Sequence, residues 1–417
     1  MKQVTAILIG AGQRGAQVYA SYALQHPNEL KFVGVAEPSK EKREKFAQQH
    51  QIPKENVRKT WEEILAGPRM ADCALICTQD QMHYVPLRRA CELGYDILCE
   101  KPITPVKEEL LKIQKLTDTY AGIISVAHVL RFSPFFREIK RQLDGGAIGD
   151  IVDIQHMESV GYWHMAHSFV RGNWRNSAES CPMILAKCCH DFDILLWLVG
   201  KDVKRVSSFG SLKLFKQENA PAGSTSRCTS GCEARDTCPF YAPKFYLEHP
   251  KAEIDGLRNV MCPEQDPQAI LKALEQGPYG RCVYHCDNDV VDHQVVNLEF
   301  EDDITVSLTM CAFTNRCERV INIMGTKGQI HGRMEDNFIE VTDFVTGHVN
   351  RISVHAPEGG HSGSDAAMMQ TFVKLAASKG ALRDDASAKE AVQSHLVALA
   401  AEESRVNHGK MIEMGGF

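Results

Sequence analysis

The chain has 417 residues, enough for two domains, and 44% of them are hydrophobic while 24% are charged. Its formal net charge of −6 argues against a dedicated nucleic-acid binder. No stretch approaches the roughly 18 apolar residues that a membrane helix needs. The apolar N-terminal run passes directly into a glycine turn, which favours a first strand over a signal peptide. We therefore expect a globular protein of the cytoplasm that binds neither membranes nor nucleic acid.

Strand–helix alternation dominates the first 130 residues. The apolar run "VTAILIG" precedes the helical run "AGQRGAQVYASYALQ", and "KFVGVAE" precedes a charged helical run. The alternation continues through "CALICT", "DILCEKP" and "GIISVAHVLRFSP". Continuous apolar strands that alternate with helices predict an α/β domain whose parallel sheet is covered on both faces.

The pattern changes in the second part of the chain. A buried helix is predicted at about 184–199, ended by Gly200. The runs "QVVNLEFE", "ITVSLTMCAFT", "RVINIMGTKGQIHG" and "FIEVTDF" follow as mainly consecutive strands. They predict a second, α+β domain over 131–361 with one large, mainly antiparallel open sheet, which a Cys-rich insertion interrupts at about 216–290.

The first strand runs into "GAGQRG", which places Gly10, Gly12 and Gly15 in a turn at the start of a helix. Glycines permit a tight turn and the close approach of a pyrophosphate, and the helix N-terminus offers N–H groups to its negative charge. Glu37 ends the second strand, where a carboxylate can bind the adenosine ribose hydroxyls and repel a 2′-phosphate. The pattern predicts a dinucleotide site that prefers NAD to NADP.

Polar residues follow two further strands of the first domain. Thr78, Asp80 and His83 come after "CALIC", and Glu100 and Lys101 end "DILCEK". Open α/β sheets bind ligands at the carboxyl edge of their strands. We therefore expect these five residues to face the bound cofactor.

Several of these motifs occur together in one known family. A GxGxxG turn, an acidic second-strand end, "TQDQMH" at 78–83, "CEKP" at 99–102, "RFSP" at 131–134 and "HDFD" at 190–193 give the chain a resemblance to the glucose–fructose oxidoreductase, inositol dehydrogenase and MocA (Gfo/Idh/MocA) family. The resemblance implies a Rossmann domain over 1–130 followed by an α/β substrate domain with a large open sheet. It also implies an enzyme that uses NAD(P) to oxidise or reduce a carbinol carbon of a sugar, sugar derivative or cyclitol.

The C-terminal region, 362–417, adds to the resemblance. Two helices are predicted there, at about 363–379 and 387–405. Their segments "HSGSDAAMMQTF" (361–372) and "ESR" look like the family's closing helices. The resemblance implies that these helices pack back on the Rossmann domain.

The resemblance also assigns roles to residues of the crevice. In the family, the lysine of the EKP motif, here Lys101, bonds the reacting oxygen, and a histidine of the second domain, here His190, serves as acid and base. This fits the chemistry, because hydride leaves a carbinol carbon only as its hydroxyl proton is removed, and a cation stabilises the developing alkoxide. The residues assigned to the cofactor are Gly10, Gly12, Gln13, Arg14, Gly15, Glu37, Thr78, Asp80, His83, Glu100 and Lys101.

One position departs from the family pattern. Many members carry an aspartate four residues before the histidine, where this chain has Ala186, followed by Lys187. Lys187 lies on the same helical face as His190, and it either takes over the aspartate's catalytic role or forms an ion pair with Asp191. Asp193, three residues after His190, is expected to orient the imidazole ring.

The segment "GYWHMAHSFVRGNWRN" (161–176) supplies aromatic rings, histidines and arginines just before that helix. Aromatic rings stack on sugar faces, and arginine or histidine donors bind hydroxyls. The alternative is a structured loop in which Trp163 and Trp174 only close the core. The residues predicted to bind substrate are His128, Arg131, Tyr162, His164, Arg171, Lys187 and His190.

Six of the fifteen cysteines lie in the insertion, and the other nine are scattered or lie in apolar runs, which suits buried thiols in a reducing cytoplasm. Six cysteines in one segment of such a chain favour a metal over disulfides. A structural zinc ion would stabilise a loop with little core of its own. An iron–sulfur cluster, a regulatory disulfide and free thiols are the alternatives. The predicted zinc ligands are Cys228, Cys232, Cys238 and Cys286.

Two other functions fit the same resemblance. A glycosidase of this superfamily would use tightly held NAD to oxidise the sugar transiently, eliminate the aglycone and reduce the sugar again. A non-catalytic sensor would bind NAD and sugar to regulate a partner, although Lys101 and His190 would then have no chemical role. In each case the open sheet face suggests a homo-oligomer, a dimer or a tetramer, that forms through that face.

Overall fold

We describe the protein from a computed structural model, which covers residues 2–249, 253–355, 363–378, 382 and 386–417. The predicted domain boundary between 361 and 362 lies outside these residues, as do the first two residues of the motif at 361–372. Within the described ranges, no helix is both long enough and apolar enough to cross a membrane.

The first domain contains a six-stranded, all-parallel sheet with strand order β3-β2-β1-β4-β5-β6. Its strands are β1 Val4–Ile9, β2 Leu30–Ala36, β3 Val57–Arg58, β4 Cys73–Ile76, β5 Asp96–Cys99 and β6 Ile124–Val126. The strand order reverses between β1 and β4, and such a reversal leaves a crevice at the carboxyl ends of the strands. The predicted parallel α/β domain is confirmed.

Helices cover both faces of this sheet. They are a π-helix Gln13–Tyr19, α1 Ser21–Gln25, α2 Lys40–Gln49, α3 Trp61–Ile64, α4 Tyr84–Glu92 and α5 Lys107–Thr119. Successive strand residues point to opposite faces, so that Leu8 enters one hydrophobic core and Ile7 the other. The continuous apolar strands of the sequence therefore supply two cores at once.

The second domain starts with helices that lead to the crevice. They are α6 Pro134–Asp144, α7 Tyr162–His164, a π-helix Met165–Arg171 and α8 Met183–Val199. Most of α8 is buried, and it ends at Gly200, whose φ of 68° is left-handed. The predicted helix and its glycine stop are thus confirmed.

A nine-stranded sheet forms the body of this domain, with strand order β14-β13-β12-β11-β7-β10-β9-β8-β15. Only the β7–β10 pair is parallel, so the predicted mainly antiparallel sheet is confirmed. The two edge strands were missed, because β14 is polar and largely exposed and β15 has two residues. The strands are β7 Ile151–Ser159, β8 Val203–Ser211, β9 His293–Phe300, β10 Thr305–Cys311, β11 Glu318–Gly325, β12 Gly328–Arg333, β13 Phe338–Asp343, β14 Val349–Ser353 and β15 Ile412–Glu413.

Among its described residues, the Cys-rich insertion contains three α-helices that the sequence analysis did not predict: α9 Ala242–Leu247, α10 Glu253–Met261 and α11 Pro267–Gln276. The signal for α11 was present, since Asp266 caps the helix, a proline opens it and Gly277 closes it. These helices enclose a small hydrophobic core that includes Trp163 from the preceding domain segment. The insertion therefore packs directly on the segment predicted to bind substrate.

Two helices close the chain, α12 Ser364–Ser378 and α13 Ala388–Val406. Met368 and Phe372 of α12 join the Rossmann core that contains Leu8. α13 packs against both α5 of the Rossmann domain and α8 of the second domain. This last helix therefore supports both walls of the crevice.

Candidate active site

The glycine turn after β1 is tightly packed at two positions and open at one. Gly10 has a φ of +94°, and a Cβ there would lie 2.4 Å from the carbonyl oxygen of Cys77. A Cβ on Gly15 would lie 2.5 Å from the carbonyl oxygen of Gly10, whereas a Cβ on Gly12 would meet nothing within 4 Å. The turn therefore needs glycine for its own packing and leaves free space beside Gly12, which fits the approach of a pyrophosphate.

Glu37 is fixed at the end of β2 by backbone groups. Its Oε2 accepts a hydrogen bond from Ala11 N at 2.8 Å, and its Oε1 accepts one from Ser39 N at 2.9 Å. Each carboxylate oxygen has a further lone pair for a ribose hydroxyl. The residues of this edge fit a dinucleotide whose ribose carries no 2′-phosphate.

Arg14 was predicted to bind the cofactor, but its guanidinium is engaged elsewhere. Nε donates to Glu100 Oε1 at 2.9 Å, and Nη2 donates to Asp365 Oδ1 at 2.6 Å and to the hydroxyl of Tyr19 at 2.7 Å. Burial alone would raise the pKa of Glu100, but Arg14 and Lys101 hold it below its usual value. Arg14 thus ties the glycine turn to the EKP motif and to α12, so its guanidinium is occupied by protein groups, and a contact of Arg14 with the cofactor stays a prediction.

Asp80 was also assigned to the cofactor, and the structure gives it a different set of contacts. Its Oδ2 accepts hydrogen bonds from Trp174 Nε1 at 3.0 Å and from Ser180 Oγ at 2.8 Å. Next to it, Gln81 Nε2 donates to the carbonyl oxygens of Ala178 and Ser180. These bonds fasten the segment before α8 to the edge of the Rossmann sheet, so Asp80 joins the two walls of the crevice.

Thr78 and His83 likewise bind protein groups of this edge. The hydroxyl of Thr78 donates to Met82 O at 3.1 Å. The ring of His83 is buried, with Nδ1 2.7 Å from Pro102 O and Nε2 3.0 Å from Thr78 O. His83 therefore holds the backbone around the EKP motif, where the sequence analysis expected a cofactor contact.

Lys101 and His190 approach each other from opposite walls. Nζ of Lys101 donates to Ala186 O at 3.1 Å, one helical turn before His190 on α8. His190 is 6% exposed, and its ring lies edge-on to that of His128, with the ring centroids 5.5 Å apart. The structure thus places the amine of Lys101 against the helical turn of α8 that precedes His190.

Lys187 pairs with a residue that the sequence analysis missed. Its Nζ lies 3.0 Å from Glu158 Oε1 on β7, so the ion pair with Asp191 that was one alternative does not form. Asp191 binds His156 and Arg319 instead, each at 2.8 Å. Burial lowers the pKa of Lys187, but Glu158 more than offsets this and raises it. The ammonium of Lys187, three residues before His190 on α8, therefore stays charged.

Asp193, which is expected to orient the ring of His190, binds an arginine in the structure. The carboxylate of Asp193 binds the guanidinium of Arg131 through two hydrogen bonds of 2.7 and 2.8 Å. Arg131 also pairs with Glu390 of α13. Through Arg131, Asp193 of α8 is joined to Glu390 of α13. The guanidinium of Arg131 is engaged in these contacts, which argues against its predicted role in binding substrate.

In the segment before α8, Tyr162 and His164 are half-buried, whereas Arg171 is fully buried. Tyr162 OH lies 3.0 Å from Nε2 of His249 in the insertion, and His164 Nδ1 lies 3.7 Å from Cys317 Sγ. Burial, together with Lys187, lowers the pKa of His164, so this ring is neutral. Arg171 is 0% exposed and donates to two backbone carbonyls of the insertion, which corrects its assignment to substrate.

Comparison with known proteins decides the family. The family model described as "Oxidoreductase family, NAD-binding Rossmann fold" matches residues 4–128. The model described as "Oxidoreductase family, C-terminal alpha/beta domain" matches residues 140–410. The chain belongs to the Gfo/Idh/MocA oxidoreductase family. It is therefore an oxidoreductase with an NAD-binding Rossmann domain, and the resemblance seen in the motifs is confirmed.

Individual members of the family are distant from this one. The chain is 22% identical over 312 residues to a putative oxidoreductase YteT of Bacillus subtilis, covering 72% of this chain and 71% of that protein. It is 27% identical over 218 residues to a scyllo-inositol 2-dehydrogenase (NAD(+)) of the same organism, but this match spans only 58% of that protein's length. Two solved structures share the fold over 99% of this chain: a levoglucosan dehydrogenase in complex with NADH and levoglucosan (TM-score 0.72, 18% identity, 99% of that chain), and a scyllo-inositol dehydrogenase from Lactobacillus casei with bound NAD(H) and scyllo-inositol (TM-score 0.67, 17% identity, 100% of that chain).

The cysteines of this Gfo/Idh/MocA protein do not assemble the predicted zinc site. Within the described part of the chain, which includes all fifteen cysteines, each is a free thiol. No three or more His, Cys, Asp or Glu side chains among the described residues form a group that could hold a metal ion. Cys228, Cys232, Cys238 and Cys286 are therefore part of no such group among the described residues, and zinc is not supported.

Proposed function

We propose that this oxidoreductase transfers a hydride between NAD and a carbinol carbon of a sugar, sugar derivative or cyclitol. The observation that supports this most is the hydrogen bond that brings the amine of Lys101 to α8, with Nζ 3.1 Å from Ala186 O, one turn before His190. NAD, when bound, supplies the hydride acceptor. Lys101 donates a hydrogen bond to the reacting oxygen and stabilises its developing negative charge. His190 takes the hydroxyl proton at its imidazole.

The residues that line the substrate side favour a neutral polyol. Lys187 keeps N–H groups for hydroxyls while Glu158 balances its charge, and Tyr162 and His164 provide further polar atoms. Relatives and structural neighbours named inositol dehydrogenase and levoglucosan dehydrogenase act on polyhydroxylated rings, which agrees with this proposal. The buried His128 packs behind His190 and completes this wall.

NAD is the proposed cofactor, and NADP is disfavoured by charge. The carboxylate of Glu37 lies where the adenosine ribose of a Rossmann dinucleotide is bound. Its negative charge would repel a 2′-phosphate. Open space beside Gly12 accommodates the pyrophosphate.

A screen of the purified wild-type enzyme tests the proposed function. NAD is incubated with neutral sugars, inositols, sugar acids and aryl glycosides, and both NADH formation and release of the aglycone are recorded. Accumulation of NADH with a neutral sugar or inositol is the expected result. Aglycone release without net NADH would identify a glycosidase, and NAD binding without either reaction would identify a sensor.

We further propose that the enzyme works in the cytoplasm as a homo-oligomer that pairs through the open face of the nine-stranded sheet. Its fifteen free thiols suit a reducing compartment. On the open face, Phe209 is 54% exposed and Val295, its cross-strand neighbour, is 40% exposed. A second copy would cover this apolar pair. Light scattering of the wild type should show a dimer or tetramer that Phe209→Glu dissociates, and a monomeric wild type would contradict the proposal.

A further inference from the structure

The peptide group that follows the EKP motif is held at both ends by buried histidines. This peptide joins Pro102 to Ile103. Nδ1 of His83 lies 2.7 Å from Pro102 O, and Ile103 N donates to Nε2 of His395 at 3.0 Å. The carbonyl oxygen and the N–H are the two polar atoms of one peptide group. Side chains from α13 and from the segment before α4 therefore occupy both of its hydrogen-bonding positions.

The partners fix which ring nitrogen donates and which accepts. Ile103 N–H is a donor, so Nε2 of His395 accepts, while Nδ1 of the same ring donates to Ala391 O at 2.7 Å. Burial, with His128, lowers the pKa of His395 to about 3, so this ring is neutral at working pH. Both nitrogens of His83 face carbonyl oxygens, which only accept; we assign the donor to Nδ1, because it lies closer to its partner, 2.7 Å from Pro102 O, than Nε2 does to Thr78 O at 3.0 Å.

The clamped peptide lies immediately beyond Lys101-Pro102. The backbone N–H of Lys101 is itself bound to Glu100 Oε2 at 2.8 Å. The chain is thus held on both sides of the Lys101 side chain, which then reaches across to Ala186 O. Because α13 also packs on α8, the helix that carries His395 supports His190 as well.

We propose that His83 and His395 are positioning residues, which clamp the Pro102–Ile103 peptide so that the amine of Lys101 reaches the reacting oxygen beside His190. Their side chains are 1% and 0% exposed, so they act through Lys101 and touch neither substrate nor cofactor. The inference rests on the proposed function, in which Lys101 is catalytic.

Amide replacements test the clamp with opposite outcomes at the two positions. Asparagine reproduces the Nδ1 position of histidine, and glutamine reproduces Nε2. His83→Asn keeps the donor to Pro102 O and His83→Gln removes it, whereas His395→Gln keeps an acceptor for Ile103 N–H and His395→Asn removes it. If the two histidines only filled space, the same amide, asparagine or glutamine, would be the better tolerated replacement at both positions.

The kinetic measurement uses scyllo-inositol and NAD as the probe reaction. We expect kcat to fall about 10- to 100-fold in His83→Gln and His395→Asn, and to remain close to the wild-type value in His83→Asn and His395→Gln. KM for scyllo-inositol and the dissociation constant of NAD should change much less than kcat. Equal kcat values in the two replacements at either position would overturn the proposal.

Amide hydrogen exchange of the segment 100–106 gives a second measurement that needs no substrate. Exchange should be faster in His83→Gln and His395→Asn than in His83→Asn and His395→Gln, because the first two variants lack one of the hydrogen bonds to the Pro102–Ile103 peptide. The same exchange rate in all four variants would overturn the proposal. If the wild type does not reduce NAD with scyllo-inositol, the polyol assignment fails for that ligand, and the exchange pattern still decides whether the clamp exists.

Discussion

The two walls of the crevice are built by different means. On the nucleotide wall, Glu37 follows β2 by one residue and Lys101 follows β5 by two, so the order of the strands places them. On the substrate wall, Lys187 is placed by an ion pair with Glu158 on β7, which in turn binds Arg319 on β11. The backbone therefore organises one wall, and a buried network of charged side chains organises the other. Apart from Lys101, whose side chain takes part in the proposed chemistry, variants of the first wall should alter ligand preference, and variants of the second should alter catalysis or stability.

The largest effect is expected at His190, on the substrate wall. His190→Asn removes the proton acceptor, so kcat should fall about 10²–10⁴-fold. NAD affinity should change little, because the nucleotide wall is untouched. Steady-state kinetics and a fluorescence titration with NADH measure the two quantities. The exposed His348 supplies the control, His348→Asn, and a kcat for His190→Asn close to that of this control would refute the assignment.

Arg319 tests the stability of the charge network. Arg319→Met leaves Asp191 and Glu158 buried without their guanidinium partner, and the free energy of unfolding should drop by about 3–5 kcal/mol. Chemical denaturation measures the loss. The control Arg351→Met breaks an exposed pair with Glu340 and should cost less than about 1 kcal/mol. Equal losses in the two variants would show that the buried network contributes no more than a surface pair.

The Arg319→Met variant also tests how the stability of the fold depends on pH. Burial alone would raise the pKa of Asp191, but Arg319 and His156 hold it below its usual value. A lowered carboxyl pKa stabilises the fold above the unfolded-state value of about 3.9, and this stabilisation is lost as the pH falls through the lower folded-state value. The stability difference between wild type and Arg319→Met should therefore be largest near neutral pH and shrink in acid. A difference that grows in acid would contradict this account.

Asp80 lies where the two walls join, and its variant should have an intermediate effect. Asp80→Ala leaves the donors of Trp174 and Ser180 without their acceptor, which should cost about 1–3 kcal/mol of unfolding free energy. Ser180→Ala removes one donor and should cost less. Thermal unfolding and NADH titration compare the two variants. A large loss of NADH affinity with unchanged stability would return Asp80 to the cofactor site.

The smallest effect is expected at Glu37, on the nucleotide wall. Glu37→Gln keeps the shape and one acceptor, for Ala11 N, but removes the negative charge and the acceptor for Ser39 N, so the preference for NAD over NADP should weaken about tenfold, or about 1.4 kcal/mol. The ratio of kcat/KM values for the two cofactors measures it. The exposed Glu41 of α2 provides a charge-matched control in Glu41→Gln. A ratio that shifts equally in both variants would indicate a general charge effect.

The difference between the walls also explains what could be predicted from the sequence. Strand ends are visible as local patterns in the chain, so the amino-acid sequence alone is enough to place Gly10, Glu37 and Lys101. It does not place Glu158, because the meeting of that residue with Lys187 depends on how α8 lies across β7. The sequence contains both residues but not the packing angle that joins them.

Arg14 illustrates the same limit on the nucleotide wall. An arginine inside a glycine turn resembles a phosphate ligand as long as only neighbouring residues are considered. Its partner Asp365 lies 351 residues later in the chain, on a helix that returns to the Rossmann domain. Long-range ion pairs of this kind depend on the complete topology, and they determine which charges remain available to a ligand.

Lys101→Ala tests most directly the central claim, that this chain transfers a hydride with Lys101 bound to the reacting oxygen. The backbone of Lys101 lies on the nucleotide wall, but its side chain is proposed to act in catalysis. NAD binding and single-turnover NADH formation should be measured on the same preparation, with the neutral polyol found in the screen. We predict an NAD dissociation constant close to that of the wild type and a rate of hydride transfer lower by about 10²–10³-fold. Hydride transfer at the wild-type rate would contradict the account.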